Sequence, residues 1–322
     1  MASGPNQAHM QRHQTFKNLP ESAKGAAVAM GNFDGVHLGH QSVLAIARTA
    51  AVSINAPLGV ITFEPHPRRL FQPNALSFRL MSAETKASQF AKLGLKHLFE
   101  IPFDTALAAL TAEAFIKDVL MDGLSIKHLV VGADFRFGKH RTGDVDMLTA
   151  LGPKHGFATT VAPLVNDAAG ELSSTAIRAA LSDGRTSDAN RMLGHWHRIE
   201  GIVERGFQRG RKMNFPTANI PLTDLHLPKF GVYATIVDVL DGPHKGRYQG
   251  AASLGDRPTF GDNDVPNLEV FLFDFKGDLY GATLSTALVA FLRPELAFDG
   301  MESLIIAMKE DCENAREILN AL

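Results

Sequence analysis

The chain has 322 residues, 45% of them apolar, with 32 Lys and Arg against 34 Asp and Glu for a net charge of −2. That length suggests two domains, and the even charge balance excludes the basic excess of a general nucleic-acid binder. One cysteine, Cys312, excludes an intramolecular disulfide framework and fits a reducing, cytoplasmic setting, and no apolar run approaches the ~20 residues of a membrane span.

Residues 1–14 are polar and are expected to form a disordered tail, not a signal peptide. An apolar, strand-like run, Ala26–Met30, then leads into Gly31-Asn32-Phe33-Asp34-Gly35-Val36-His37-Leu38-Gly39-His40. Val43, Leu44, Ala47 and Ala51 follow at helical spacing. The decapeptide is thus a strand-to-helix turn whose small residues let a ligand approach the backbone. His37 and His40 stand at the helix start, where the first N–H groups are unpaired and the dipole is positive, a setting that suits a polyphosphate. Two plainer readings compete. One is a pair of helix-start histidines without a role. The other is a zinc pair, for which the surrounding sequence offers no obvious third ligand.

Val60–Phe63, Leu129–Val131 and Ala158–Val161 read as strands, and Thr85–Leu93 and Thr111–Leu120 as helices, with Ser82 and Thr111 as N-caps. This alternation, up to about Leu181, predicts a doubly wound parallel sheet with ligands at the carboxyl ends of its strands. Thr62-Phe63-Glu64-Pro65-His66-Pro67 follows one strand and is stiffened by two prolines. Gly132-Ala133-Asp134-Phe135-Arg136-Phe137-Gly138 follows another, mixing rings, a cation and glycines that suit a planar ring beside phosphate. An ordinary turn also accounts for either segment. Ser173-Ser174-Thr175-Ala176-Ile177-Arg178 opens a short helix capped by Ser174 or Ser173, with Arg178 one turn on. Simple capping is its plainer reading.

Polar Ser182–Asn190 interrupts the pattern, and 186–196 is expected as a linker between domains at 15–185 and 197–322. Beyond it, Ile199–Glu204, Val232–Val239, Gly250–Leu254, Leu268–Phe275 and Thr283–Phe291 read as strands separated by turn signals and no long helices. That predicts an antiparallel all-β unit, a small barrel. A basic, glycine-bearing loop, Gly206 to Asn214, runs into a rigid Pro216-Thr217-Ala218-Asn219. Thr217 and Asn219 offer hard oxygens to a magnesium ion. Glu269 lies near a strand start, where a solvent-facing glutamate is the plain alternative. A helix closes the chain, with Asp299 as cap, Glu302 completing a capping box, and Met301, Leu304, Ile305, Met308, Cys312 and Ala315 as its apolar stripe.

Taken together, Gly31–His40, the loops at His66 and Asp134–Arg136, and Ser-Thr-x-Ile-Arg resemble the His-x-Gly-His nucleotidyltransferase superfamily, in the wording of the prokaryotic FAD synthetases. No Gly-Lys-Ser/Thr follows, so the turn is not a Walker loop. The resemblance implies adenylyl transfer from ATP to FMN with release of pyrophosphate. It implies that His37 and His40 steady the α- and β-phosphates, and that Thr175 and Arg178, beside Ser174, hold the β- and γ-phosphates. Gly31, Asn32 and Asp34 are implied phosphate or flavin contacts, and His66, Asp134, Phe135 and Arg136 are implied in flavin or nucleotide-binding loops.

The second half resembles riboflavin kinase in its glycine-rich loop and Pro-Thr-x-Asn. That implies ATP and Mg²⁺ binding by Gly206, Gly210, Arg211, Thr217 and Asn219, with Thr217 and Asn219 on the metal. Glu269 is implied as general base for the riboflavin 5′-hydroxyl, and Arg293 and Phe298 as cover for the flavin. The chain departs from the kinase wording at Asn214, where glycine is typical, and at Phe207, where aspartate is frequent. The whole therefore resembles a family that makes FMN from riboflavin and then FAD from FMN, with small-molecule substrates and neither nucleic acid nor membrane as partner. A single-activity adenylyltransferase with a weakened barrel is the alternative, and a flavin-binding regulator without catalysis a more distant one. Oligomeric state is left open.

Overall fold

Six strands of the first half form one parallel sheet: β1 (Gln11–His13), β2 (Ala27–Met30), β3 (Leu58–Glu64), β4 (His97–Pro102), β5 (His128–Gly132) and β6 (Ala158–Ala162). The computed structural model describes residues 10–167, 170–205, 215–257 and 265–322. The spatial order is β1-β4-β3-β2-β5-β6, so the chain builds outward from β2 on one side and then restarts with β5 on the other. The carboxyl end of β2 is thus the topological switch point, where doubly wound sheets take their ligands. β2 is buried throughout and β3 over nearly its whole length, as in a sheet covered on both faces. The covering helices are α1 (Leu38–Ser53), α2 (Pro67–Phe71), α3 (Ala83–Lys92), α4 (Thr105–Ala108), α5 (Ala112–Ala114), which continues π-helically over Phe115–Gly123, and α6 (Val145–His155). Ser82 and Thr111 cap α3 and α5, accepting from the N–H groups of Thr85 and Ala114. A short hairpin, β7 (Asn166–Asp167) and β8 (Gly170–Glu171), follows.

Two segments expected to lie outside the domains are instead structured, and β4 was not among the expected strands. Gln11–His13, placed in a disordered tail, instead pair with His97–Phe99 as an edge strand. Arg12 grips the buried Glu100 with two hydrogen bonds of 3.1 and 3.0 Å, and His13 Nε2 meets His97 Nδ1 at 3.2 Å. Residues 186–196, placed as a linker, hold a helix. After α7 (Ser174–Ser182), α8 (Thr186–Leu193) buries Ala189, Met192 and Leu193, and Gly194 ends it in the left-handed region at φ 70°.

The second sheet comprises β9 (His197–Ile202), β10 (Ala218–Pro221), β11 (Gly231–Val239), β12 (Gly246–Arg257), β13 (Val265–Leu272) and β14 (Thr283–Pro294). Its order is β10-β13-β12-β11-β14-β9, with antiparallel pairing throughout, and a backbone bridge from Glu204 to Asn219 brings its two edges together into a nearly closed barrel. Tyr233, Leu254, Leu268, Val270, Leu284 and Leu288 fill it. The final helix, α9 (Met301–Asn320), lays Ala315 and Leu319 against Ala234, Ala251 and Phe273 on the outside of the sheet. Its N-cap is Gly300, with no side-chain cap bond, so Asp299 stands one residue too early to cap it. Met301 is exposed, and the packed stripe begins at Leu304.

The chain divides into two units, one running to Ala75 and adding Lys86–Leu172, the other joining Leu76–Thr85 to Ser173–Leu322. Among the described residues no helix is long and apolar enough to cross a membrane.

Candidate active sites

After β2 the backbone makes a tight turn. The Gly31 N–H donates to the Ile61 carbonyl at 3.1 Å, and Phe33, Gly35 and Val36 follow with φ of 51°, 88° and 43°. A β-branched residue at positive φ is a strained outlier, and such strain gathers at functional sites. The turn ends at His37, the N-cap of α1, whose Nδ1 accepts the His40 N–H at 3.3 Å. A neutral His37 therefore carries its ring proton on Nε2. The two imidazoles stack with centroids 3.6 Å apart at 23°. Phe33 sets its edge against His40 at 5.1 Å and is itself braced by Phe90 at 5.6 Å.

His37 and Asp34 are each only 6% exposed, whereas Asn32 is exposed. His40 Nδ1 is buried with no hydrogen-bond partner among the described residues. Burial, then the neighbouring His37 and Lys86, hold the His40 imidazolium well below the ordinary histidine range. An uncharged His40 ring thus stacks on His37 at a positive helix end.

The other first-half positions take distinct places. His66 caps α2, its Nδ1 accepting the Arg68 N–H at 3.1 Å. Asp134 is exposed, and Phe135 packs partly on the core. Arg136 reaches Asp144 at 2.7 Å, and Asp144 caps α6 through the Met147 N–H. Of the two serines offered as caps, Ser173 fills the role, accepting the Ala176 N–H at 3.2 Å, so Ser174 is the first helical residue. Thr175 is exposed. Arg178 donates through Nε to the Phe78 carbonyl at 2.6 Å and lies over the Phe78 ring. α7 and Phe78 belong to the second unit.

In the barrel, β10 was unforeseen. It carries Asn219 directly opposite Glu269 of β13. The Thr217 hydroxyl donates to Glu269 Oε2 at 3.4 Å, and Asn219 Nδ2 donates to the Thr217 carbonyl at 3.4 Å. Asn267, two residues before Glu269 on the same strand face, donates to Asn219 Oδ1 at 3.0 Å and is 3% exposed. Its period-2 spacing from Glu269 was the one sequence signal that could have found it. Gly206, Gly210 and Arg211 lie outside the described residues, as do Phe207 and Asn214.

Arg293 forms a two-pronged bond to Asp311 of α9 at 2.8 and 2.7 Å, with Phe298 5.6 Å beneath the guanidinium. Asp311 sits within the helical stripe, where spacing alone would call for an apolar residue. Both Asp311 and the buried Lys86 of α3 were missed because each is a charged residue in a helix, the usual sign of a solvent-facing position.

Residues 19–176 match the FAD synthetase family, and residues 193–319 the riboflavin kinase family. A bifunctional riboflavin kinase/FMN adenylyltransferase of Pseudomonas fluorescens is 38% identical over 309 residues, covering 96% of this chain and 98% of its own. The protein of the same description from Escherichia coli K12 is also 38% identical, over 93% of this chain and 95% of its own. A solved structure described as a macrolide-efflux protein from Streptococcus pneumoniae superposes with a TM-score of 0.83 at 29% identity, over 95% of this chain and 98% of that one. With both family matches in order along the chain, and relatives carrying both over nearly its full length, the chain belongs to the bifunctional riboflavin kinase/FMN adenylyltransferases: it phosphorylates riboflavin to FMN with ATP and adenylylates FMN to FAD with a second ATP.

Proposed function

We propose that the Gly31–His40 turn is the phosphate handle for adenylyl transfer, and that Thr217, Asn219 and Glu269, with the loop of Gly206, Gly210 and Arg211, form the kinase centre. The first assignment is supported above all by the stacked histidines at the N-terminus of α1, on the switch point of the sheet. An FMN phosphate oxygen attacks the α-phosphorus of ATP in line. The bond from that phosphorus to the bridging oxygen breaks, and pyrophosphate leaves with the electron pair. No protein atom forms a covalent bond in this step, so positioning and charge stabilisation carry the rate.

His37, its Nδ1 committed to the helix cap, donates from Nε2 to a phosphate oxygen. His40 starts uncharged, and an arriving triphosphate reverses that bias, since a nearby anion favours the imidazolium. Ser174, Thr175 and Arg178 are assigned to the departing pyrophosphate on their motif alone. Gly31, Asn32, Asp34, His66, Asp134, Phe135 and Arg136 are assigned as further phosphate and flavin contacts on the same ground.

In the barrel, Glu269 takes the proton of the riboflavin 5′-hydroxyl as that oxygen attacks the γ-phosphorus, and ADP leaves. The donor set beside it suits magnesium: a hydroxyl oxygen of Thr217 and an amide oxygen of Asn219, the latter oriented by Asn267. When bound there, magnesium would neutralise the phosphates of ATP. Arg293, anchored by Asp311, and Phe298 are assigned to the flavin face. A single cysteine, which can form no intramolecular disulfide, fits the reducing cytoplasm as its setting.

The decisive variant for the first site is His40→Ala. It should cut FAD formation from FMN by roughly 10²-fold or more, the usual loss of one transition-state donor, with riboflavin phosphorylation unchanged. Wild-type FAD formation in that chain would overturn the assignment.

A further inference from the structure

Lys86 projects from α3 into the interior of the first unit, with only 4% of its side chain exposed. Its Nζ lies 2.7 Å from Glu64 Oε1, 3.1 Å from Thr62 Oγ1 and 3.4 Å from the Asn32 carbonyl oxygen. The Thr62 hydroxyl donates to the same carbonyl at 3.2 Å. Thr62 and Glu64 close β3, and Asn32 opens the histidine turn. One ammonium group therefore ties the ends of two neighbouring strands to a helix at the switch point.

Stability alone is a poor reason for this arrangement, because apolar residues of the same volume often serve a fold as well as a buried ion pair. What the cation does supply is placement. Directly after Asn32 the backbone enters the positive-φ residues Phe33, Gly35 and Val36, conformations that persist only where the surroundings hold them. His37 and His40 follow at once, so any slack at Asn32 is passed to both rings.

We propose that Lys86 is a positioning residue for adenylyl transfer: its ammonium fixes the Asn32 carbonyl, and through it the turn that delivers His37 and His40 to the phosphates. The proposal rests on the reading of that turn as the phosphate handle. A second contribution comes from charge. His40 faces His37 from its own element and the field of Lys86 from α3, with Glu64 of β3 paired to Lys86 and Asp34 in the same turn. Lys86 thereby helps keep His40 uncharged until an anion arrives.

The test measures both activities of the full chain in Lys86→Met, in Lys86→Arg, in the doubly neutral Glu64→Gln/Lys86→Met, and in His40→Ala. Lys86→Met and the double variant should lose about 10-fold or more in kcat for FAD formation, with KM for FMN and ATP within about 2-fold, because misplaced donors fail chiefly in the transition state. Riboflavin phosphorylation by the same chains should stay within about 2-fold of wild type. By NMR of the ligand-free chain, His40 should take up its proton at a higher pH in both variants, and Lys86→Arg, which keeps the cation, should return that titration toward wild type. Wild-type kcat in both variants, or an unshifted His40 titration, overturns the proposal. If Lys86→Met loses both activities, the double variant decides, since it leaves no lone buried charge. Loss of both activities there as well assigns Lys86 to stability and overturns the positioning role. Undiminished FAD formation by His40→Ala would instead sink the reading of the turn, whatever the Lys86 chains do.

Discussion

Replacing Gly39 by alanine adds one methyl group at the tightest point of the histidine turn. A Cβ there would lie 3.0 Å from His37 Cε1, 3.1 Å from His37 Nδ1 and 3.1 Å from the Leu172 carbonyl oxygen. The carbonyl belongs to the backbone and yields little, so the His37 ring must give way by a few tenths of an ångström. The cap bond from the His40 N–H, already 3.3 Å, is strained by the same movement. Helix propensity favours alanine by about 1 kcal/mol, and the overlap costs about 1–3 kcal/mol, so stability should change by about 2 kcal/mol at most. Function should change more. A misplacement of 1 Å costs roughly 10²-fold in rate, so a few tenths predicts a loss of about 4- to 10-fold. The assay is chromatographic detection of FAD from FMN and ATP, with riboflavin phosphorylation by the same sample as internal control. A Gly39→Ala chain that makes FAD at the wild-type rate would refute the placement of His37 against the reacting phosphates.

Two buried histidines make stability depend on pH. Burial, then His13 and Lys96, push His97 down to about 4, against a weaker upward pull from the Ser22 carbonyl. Burial, then His195 and His226, push His197 down to about 3. Both folded values lie below the unfolded value near 6.5, so the uncharged rings stabilise the fold fully above that pH. The contribution, on the order of 3 kcal/mol for His97, is lost as pH falls from 6.5 through 4, and for His197 through 3. The thermal midpoint should therefore drop across that window, and a flat profile would contradict the burial of both rings. Asp311→Ala should leave the Arg293 guanidinium without its partner and cost about 3 kcal/mol at the seat of α9. Denaturant unfolding and hydrogen exchange along α9 would register this, and unchanged protection would refute the anchoring role.

The fold was legible wherever local pattern and tertiary environment agreed. β2, β3, β5 and β6, the helix after Gly31–His40, and most barrel strands announce themselves by periodicity and turn residues. β1 was not legible, because three residues carry no period and their partners, His97 and Glu100, lie more than eighty residues away. β10 was hidden by Pro216 and by the rigid look of Pro-Thr-Ala-Asn, although its backbone pairs fully with β13. α8 was masked by polar residues that face outward, while its three apolar ones face in. At the candidate sites, sequence singled out the turn and the histidines, and the structure adds how they are held. Ser173, not Ser174, makes the cap, and Lys86, Asn267 and Asp311 fix the residues that motifs point to. Apart from Asn267, whose period-2 spacing from Glu269 was a usable signal, such supporting groups escape sequence reading because their partners are set by the fold and not by spacing along the chain.

The central claim is that one chain runs two reactions on two separable sets of residues, and Glu269→Gln tests it most directly. The variant is supplied with ATP and magnesium and given riboflavin in one reaction and FMN in another, with both flavin products followed over time. The account predicts a loss of roughly 10²- to 10⁴-fold in riboflavin phosphorylation, the usual cost of removing a positioned base, and FAD formation from FMN at the wild-type rate. Riboflavin consumed at the wild-type rate, or FMN left unconverted, would contradict it.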